Sequence, residues 1–383
     1  MQHLRGRHDV HVLAQRGVHD PEPQPPDGVA LETVVVNRGS TTTRLALGVA
    51  RALMGGPRPL QNGFYDHESL RAGLRRQLVE FRPDVVVLVL GRLGHLLTDL
   101  EQIAPDVPVV IDLIDALSLN FAQRARRERL LSWLWSWESR RLARWDASLA
   151  VRASAVTVVA ERDRRALWEG ASRARRSAME TSTHVVPLGL VLDEATEPNL
   201  DAVSPDGAPV VALTGNLGYF PTVDGALHFA RHVWPAVCRQ VPGARWLLAG
   251  ARPAKALREL ARLPGVEIVA DPPDLQAIAG RAQVAVAPMR SGSGTPIKVL
   301  EAMSWGIPVV ATPEAAAGLD GLPADALVIA ETDEEFATRV SEFLTDRERA
   351  RTTVRVARSW LHDRHGLASS ASRFEAILRS VMR

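Results

Sequence analysis

Apolar residues recur at helical spacing over residues 70–81, Arg82-Pro83-Asp84 breaks the pattern, and residues 85–90 are then apolar on both faces. A short run that is apolar on both faces reads as a strand buried inside a parallel sheet, and the amphipathic helix before it as part of its cover. The same unit returns where residues 105–108 turn the chain into Val109-Val110-Ile111-Asp112. The pattern predicts strands at 31–36, 85–90, 109–112, 155–159 and 183–186, and helices at 70–81, about 120–150 and 161–169. From residue 210 the alternation is more regular. Strands are predicted at 210–214, 245–249, 266–269, 284–287 and 308–311, with helices at 223–237, 254–262, 275–279, 296–304 and 334–344 between and after them. Two further helices, at 350–360 and 369–381, end the chain. Strand and helix alternating in this way argue for an α/β protein with parallel sheets.

At 383 residues the chain is about right for two domains of common size. Residues 194–209, rich in Asp, Pro, Asn and Ser, read as the linker. We therefore expect a first domain over 1–195, a second over 196–365, and a last helix, 366–383, that crosses back to the first. Residues 7–14 read as the end of a helix and a short strand, with nothing ahead of them to serve as a first strand.

Composition narrows the classes. Apolar residues make up 46% and charged residues 23%, which excludes a disordered or fibrous chain. Lys255 and Lys298 are the only lysines, so arginine-rich stretches reflect a general preference for arginine and are weak evidence for nucleic acid; no nucleic-acid partner is expected. The sole cysteine, Cys238, cannot form an intrachain disulfide, which fits a reducing, cytoplasmic setting. No run of roughly 20 apolar residues is present, and the opening segment lacks the apolar core of a signal peptide. Membrane contact, if made, is then peripheral. Residues 121–180 hold 14 Arg against 7 Asp and Glu, interleaved with Trp133, Trp135, Trp137 and Trp145. That mixture suits an amphipathic surface against anionic headgroups, and ordinary core packing accounts for the tryptophans equally well.

The most informative segment runs Ala287-Pro-Met-Arg290-Ser-Gly292-Ser293-Gly294-Thr295-Pro-Ile-Lys298-Val-Leu-Glu301-Ala-Met-Ser-Trp-Gly306-Ile-Pro308-Val-Val310. An apolar strand runs into a glycine-containing loop that opens a helix, an arrangement that turns backbone N–H groups and a helix N-terminus toward an anion. Arg290 and Lys298 add side-chain charge suited to a leaving diphosphate. Glu301 follows Lys298 by three residues and is able to accept ribose hydroxyls; the plainer alternatives are a local Lys298–Glu301 helix pair and an ordinary turn at the glycines.

This segment resembles the donor-binding signature of retaining family 4 glycosyltransferases of the GT-B fold. The match lies in Glu301-Ala302-Met303, Gly306 and Pro308-Val309-Val310. The family's first Glu falls at Ser293, a departure shared with a subgroup of sugar transferases from exopolysaccharide and PEP-CTERM systems, which carry Gly-Ser-Gly-Thr-Arg-Ile-Lys there; Pro296 stands in place of that Arg. The resemblance implies two Rossmann-like domains facing across a cleft, with the first domain lacking the family's first strand and glycine loop. It implies transfer of a sugar from a nucleotide diphosphate sugar to a hydroxyl with retention of anomeric configuration, in polysaccharide, glycolipid or related glycoconjugate synthesis. The donor would be held by Gly215, Gly218, Gly292, Ser293, Gly294, Thr295 and Glu301, with Arg290, Lys298 and His95 as catalytic candidates. No cofactor and no metal are expected besides the donor itself. The acceptor is an unknown hydroxyl compound, with a lipid-linked one at the inner face of the membrane among the options. On the acceptor side stand His67, Asp112, Asp115 and Glu138; for the histidines packing, and for the acids structural capping, are the plain alternatives. Two rivals remain: a nucleotide-sugar epimerase of the same fold, and a protein that kept the fold and lost activity.

Overall fold

The computed structural model describes residues 4, 6–18, 22–25, 28–36, 58–128, 130–169, 171–192 and 207–382. Most of the expected linker, 194–206, lies outside the described residues. The chain forms two compact units, Met1–Gly189 with Ala368–Arg383, and Leu190–Leu367.

In the first unit β1 (His11–Gly17) and β2 (Ala30–Val36) pair in parallel. A second parallel sheet takes β3 (Val86–Val89), β4 (Val109–Ile114), β5 (Ala155–Val158) and β6 (Thr183–Val185) in that order. Its helices are α1 (Glu68–Glu80), α2 (Leu96–Ile103), α3 (Leu117–Arg127), α4 (Ser132–Arg152), α5 (Glu161–Glu169) and α6 (Arg173–Glu180). The single helix expected over 120–150 is two helices with a turn between. Glu128 ends the first and ties the turn together, accepting from Arg124 Nε at 2.9 Å and from Trp135 Nε1 at 2.7 Å. Alternation along β4 sends Ile111 into a core with Leu88, Leu97, Leu100, Leu149 and Met179, and Val110 to the opposite face.

The second unit carries one six-stranded parallel sheet: β7 (Val210–Asn216), β8 (Arg245–Ala251), β9 (Val266–Ala270), β10 (Val284–Ala287), β11 (Val309–Ala311) and β12 (Val328–Ile329). Around it lie α7 (Phe220–His232), α8 (Trp234–Gln240), α9 (Lys255–Arg258), α10 (Leu275–Ala279), α11 (Ile297–Ser304), α12 (Pro313–Ala316), α13 (Asp333–Thr345) and α14 (Arg347–His365). The helix expected over 223–237 restarts at Trp234, where Pro235 sits in a first turn that needs no N–H from it. Phe229 of α7 is packed at 4.7 Å from the Trp246 ring and edge-on to Phe336 at 5.8 Å, so an aromatic cluster fixes α7 to β8 and α13. Strand order is β12-β11-β10-β7-β8-β9. Winding starts at β7 and proceeds one way to β9, then begins again at β10 and proceeds the other way. The reversal between β7 and β10 is the place where doubly wound sheets open a crevice at the strand carboxyl ends.

The last helix, α15 (Leu367–Val381), returns to the first unit, where Ile377 and Leu378 pack on Val110 and Ala155. Glu375 fastens it: His8 Nε2 lies 3.0 Å from its carboxylate, Arg379 2.7 Å and Arg7 2.8 Å, and these partners, His8 foremost, hold its pKa down to about 2.

Two buried features lead to tests. Gly250 on β8 faces Gly215 on β7, and a Cβ built on Gly250 would lie 1.7 Å from the Gly215 carbonyl oxygen. Gly250→Ala should therefore destabilise the second unit by on the order of 3 kcal/mol, read as a lowered denaturant midpoint, and an unchanged midpoint would contradict this packing. In the first unit the Asp146 carboxyl is buried on α4 against Gly91, and burial, with the Asp115 charge adding to it, pushes its pKa up from 3.8 to about 8. Between those values the folded chain holds a proton that the unfolded chain releases, so this group makes stability fall as pH rises through the window. Asp146→Asn should raise the melting temperature most at pH 8 and above, by about 2–4 °C for each kcal/mol regained, with the gain vanishing toward pH 4. A pH-independent difference would refute the assignment.

Candidate functional site

At the winding reversal the chain leaves β7 through Asn216-Leu217-Gly218-Tyr219 and enters α7. The Asn216 side chain accepts from the Gly218 N–H at 3.0 Å, and the Leu217 N–H donates to the Ala251 carbonyl at 2.9 Å, which pins this turn between β7 and β8. A side chain on Gly218 would reach 2.6 Å from the Arg252 carbonyl oxygen, so the turn closes only with glycine.

From β10 the chain passes through residues 288–296 into α11. Thr312 holds this loop from below: its hydroxyl donates to the Met289 carbonyl and accepts from the Ala315 N–H at 3.1 Å, capping α12 at the same time. Gly318 holds it from the side, since a Cβ there would stand 2.0 Å from the Gly294 carbonyl oxygen. Gly292 differs from both. A Cβ at Gly292 would meet nothing within 4 Å. Beside it Ser291 is buried, and its hydroxyl has no hydrogen-bond partner among the described residues.

Lys298, in the first turn of α11, reaches across to α7 and donates from Nζ to the Thr222 hydroxyl at 2.6 Å. Thr222 is in the first turn of α7 and buried. The Lys298 stem runs over Gly215, with Cε 3.6 Å from where a Cβ on that residue would be. Two helix N-termini and one ammonium thus meet at the winding reversal, each end of positive sign. Burial lowers the Lys298 pKa from 10.5 to about 8, with Glu301 acting the other way. Burial raises the Glu301 pKa, the nearby Lys298 charge opposing it. The half-buried Glu301 carboxylate accepts no hydrogen bond from a described residue. Arg290 stands at 4.0 Å from Asp224 of α7, a contact too long for a strong pair.

The structure thus brings Gly215, Lys298 and Glu301 together with the loop of Arg290, Gly292, Ser293, Gly294 and Thr295, and sets Gly218 in the adjoining turn. Sequence reasoning missed Thr222, Asp224 and Gly318, which approach from elements distant along the chain. The hydroxyl at Thr222 in a first helical turn was the one signal available for them.

The first-unit candidates fare differently. His95 is 1% exposed, its Nδ1 lies 3.1 Å from the Arg92 carbonyl, and burial lowers its pKa, so it packs as a neutral ring instead of opening to solvent. His67 is buried just ahead of α1. Asp112 is occupied: Thr157 donates to it at 2.9 Å and the Ile114 N–H at 3.3 Å, and burial raises its pKa. Glu138, also raised by burial, accepts the Leu60 N–H at 2.7 Å and anchors the short turn Leu60–Phe64. Capping, the plainer of the two readings, therefore describes Asp112 and Glu138. Asp115 lines a small pocket with Gln61, Asn62, Arg92 and Asp146, in which the buried Asn62 amide has no partner among the described residues.

Among curated proteins no match to the chain is found. Solved structures of similar fold include Anabaena HepE in complex with UDP and glucose, 16% identical, TM-score 0.63, over 92% of this chain and 87% of that one. Sucrose-phosphate synthase from Thermosynechococcus elongatus is 16% identical with a TM-score of 0.69, over 97% and 89%. A UDP-forming α,α-trehalose-phosphate synthase from Burkholderia xenovorans is 12% identical with a TM-score of 0.68, over 98% and 99%. At such identities the likeness is one of fold, and it spans nearly the whole chain: the fold is GT-B. Residues 208–346 match the family model described as glycosyl transferases group 1, so the second unit carries a domain of that kind.

Proposed function

We propose that the protein is a retaining glycosyltransferase of the family 4 type, and that its second unit binds a nucleotide diphosphate sugar at the reversal between β7 and β10. The observation that carries this reading is the Lys298 ammonium between the first turns of α7 and α11, with the Glu301 carboxylate unpaired one turn further on. A diphosphate supplies the negative charge that two helix N-termini and an ammonium call for. A ribose supplies hydroxyls to a half-buried carboxylate that otherwise lacks donors.

In this reading Lys298 and Arg290 stabilise the charge that develops on the departing diphosphate, and the amides of Gly294 and Thr295 add to it. Gly292 leaves room for the donor to lie against the loop. Ser293 replaces an acidic residue of the family pattern, so the donor sugar is held there by a hydroxyl and by backbone. Chemistry then consists of aligning the acceptor hydroxyl with the anomeric carbon, the leaving phosphate oxygen serving as base on the same face. The first unit receives the acceptor, with Asp115 at the carboxyl end of β4 and Asn62 of the turn Leu60–Phe64 in the same pocket as the contacts we favour. We place the activity in bacterial polysaccharide or glycolipid synthesis of the exopolysaccharide kind, on a lipid-linked acceptor at the inner face of the membrane. The names of structurally similar proteins, which bind UDP or form it, support a uridine nucleotide as the first donor to try.

Calorimetric titration with UDP and GDP tests the donor reading. Glu301→Ala should weaken nucleoside diphosphate binding by about tenfold or more, the cost of losing a hydrogen-bonded charged group. Glu301→Gln should recover part of it. Gly292→Ala should leave the melting temperature unchanged and still weaken binding. Undiminished affinity in Glu301→Ala removes the ribose role.

A second test uses the Lys298 proton. Since the fold depresses this pKa to about 8 and a bound diphosphate raises it again, binding between pH 8 and 10 should take up protons. The binding enthalpy at pH 8.5 should then depend on the ionisation enthalpy of the buffer, and that dependence should disappear in Lys298→Met. The same substitution should raise the melting temperature of the free protein below pH 8, where a charged, buried ammonium is a full cost, while lowering nucleotide affinity. A buffer-independent enthalpy contradicts the anion role.

A further inference from the structure

The four tryptophans among the arginines of the first unit part company in the structure. Trp145 is buried in the core. The Trp135 ring lies under the Arg124 guanidinium at 4.1 Å and near Phe121, and the Trp137 ring lies under Arg141 at 4.6 Å. Trp133 alone is mostly exposed, at 68%, and it has company that the helical pattern hid: Leu130 is 87% exposed and Leu131 39%. Leu130 and Leu131 lie in the turn that joins α3 to α4, and Trp133 in the first turn of α4. The Glu128 bonds to Arg124 and Trp135 close the base of this turn, and Leu130, Leu131 and Trp133 are exposed beyond it.

We propose that this tip is a docking surface for an anionic lipid bilayer. Bulky apolar residues at the end of a helical hairpin present a protruding shape, which suits a fluid surface better than the flat, rimmed patch of a protein interface. Tryptophan prefers the headgroup level, and two leucines beside it reach the acyl boundary. Charge complements the occupant: the sequence over 124–133 carries Arg124, Arg126, Arg127 and Arg129 against Glu128 alone. Arg126 is exposed. Arginines at the flank of an inserted apolar tip meet phosphate headgroups while the side-chain stems lie along the apolar surface. The inference deepens the reading of a membrane-borne acceptor and names the surface that would bring this chain to it.

Sedimentation of the full chain with vesicles of phosphatidylcholine, with and without phosphatidylglycerol, is the test. The chain should bind the anionic vesicles, weakly or not at all the neutral ones, and less as salt is raised. Leu130→Ser with Trp133→Ser should lower the partition coefficient by about tenfold or more, from the lost apolar transfer. Arg126→Ser should lower it about fivefold. Both changes are at exposed positions, and an unchanged melting temperature confirms the fold; if the double variant fails to fold, Leu130→Ser and Arg126→Ser singly carry the comparison. Failure of the wild-type chain to bind anionic vesicles overturns the proposal, as does equal binding by the variants. A dimer in sedimentation velocity that the double variant abolishes also overturns it, because a second copy then covers the tip. The vesicle assay contains no nucleotide, so loss of vesicle binding with intact UDP binding sinks the docking surface alone, and the reverse result sinks the donor reading alone.

Discussion

One ammonium group sets the terms for the second unit. Lys298 sits where the first turns of α7 and α11 approach each other, and both helices point their positive ends at it. In a protein without an anion to bind, this is a poor place for a lysine. Burial depresses its pKa, the Glu301 charge opposes that in part, and the hydrogen bond it makes goes to an uncharged acceptor, the Thr222 hydroxyl. Everything nearby makes that placement possible. Strand order puts β7 next to β10, so the two loops leave the sheet side by side. Gly215 carries no side chain under the Lys298 stem, Gly318 lets the following segment lie against the Gly294 carbonyl, and Thr312 ties the β10 loop to the helix after β11. Tertiary packing here holds like-signed dipoles together, which is the opposite of what stability alone would select.

The sequence showed some of this directly and some not at all. The strand at 284–287 is observed over those same residues, because four apolar residues between a polar turn and a proline leave little choice. Lys298, Glu301 and the loop glycines were legible because they share one strand-loop-helix segment. Their partners Thr222 and Asp224 lie some seventy residues earlier, and only the strand reversal brings them close. Helices ran together where periodicity continued through a break. Over 120–150 the turn at Glu128 is stabilised by side-chain bonds that leave no mark on hydrophobic spacing. β12 is two residues long and gave no pattern at all.

Polar residues at strand ends misled in a consistent way. His95 and Glu138 look like ligand groups in the sequence, since each lies near the carboxyl end of a predicted strand or in a helix facing one. Whether such a side chain turns outward or inward depends on the local backbone, and both turn inward. The Glu138 carboxylate spends itself on the Leu60 N–H, a bond that the burial of Glu138 strengthens.

The two units meet one backbone problem with partly different residues. Strand carboxyl ends must turn sharply to release the chain over the sheet, and the turn is easiest with positive φ. In the second unit Gly215 at φ 115° and Gly250 at φ 152° do this near the ends of β7 and β8, with Arg252 at φ 50° and Asp271 at φ 48° directly after β8 and β9. In the first unit Leu90 and Ile114 do it, at φ 75° and 64°, and for a β-branched residue such as Ile114 that conformation is costly. Compensation is visible: the Asp112 carboxylate accepts the Ile114 N–H and marks the register shift in β4, and the Leu90 N–H donates to the Asp112 carbonyl at 2.7 Å. Asp112 is thus committed to holding the strained strand end, and it is the strained end that delivers Asp115 into the pocket with Asn62 and Asp146. Strain kept at this cost lies beside the buried Asn62 amide, which has no partner among the described residues, and both stand at the carboxyl end of β4.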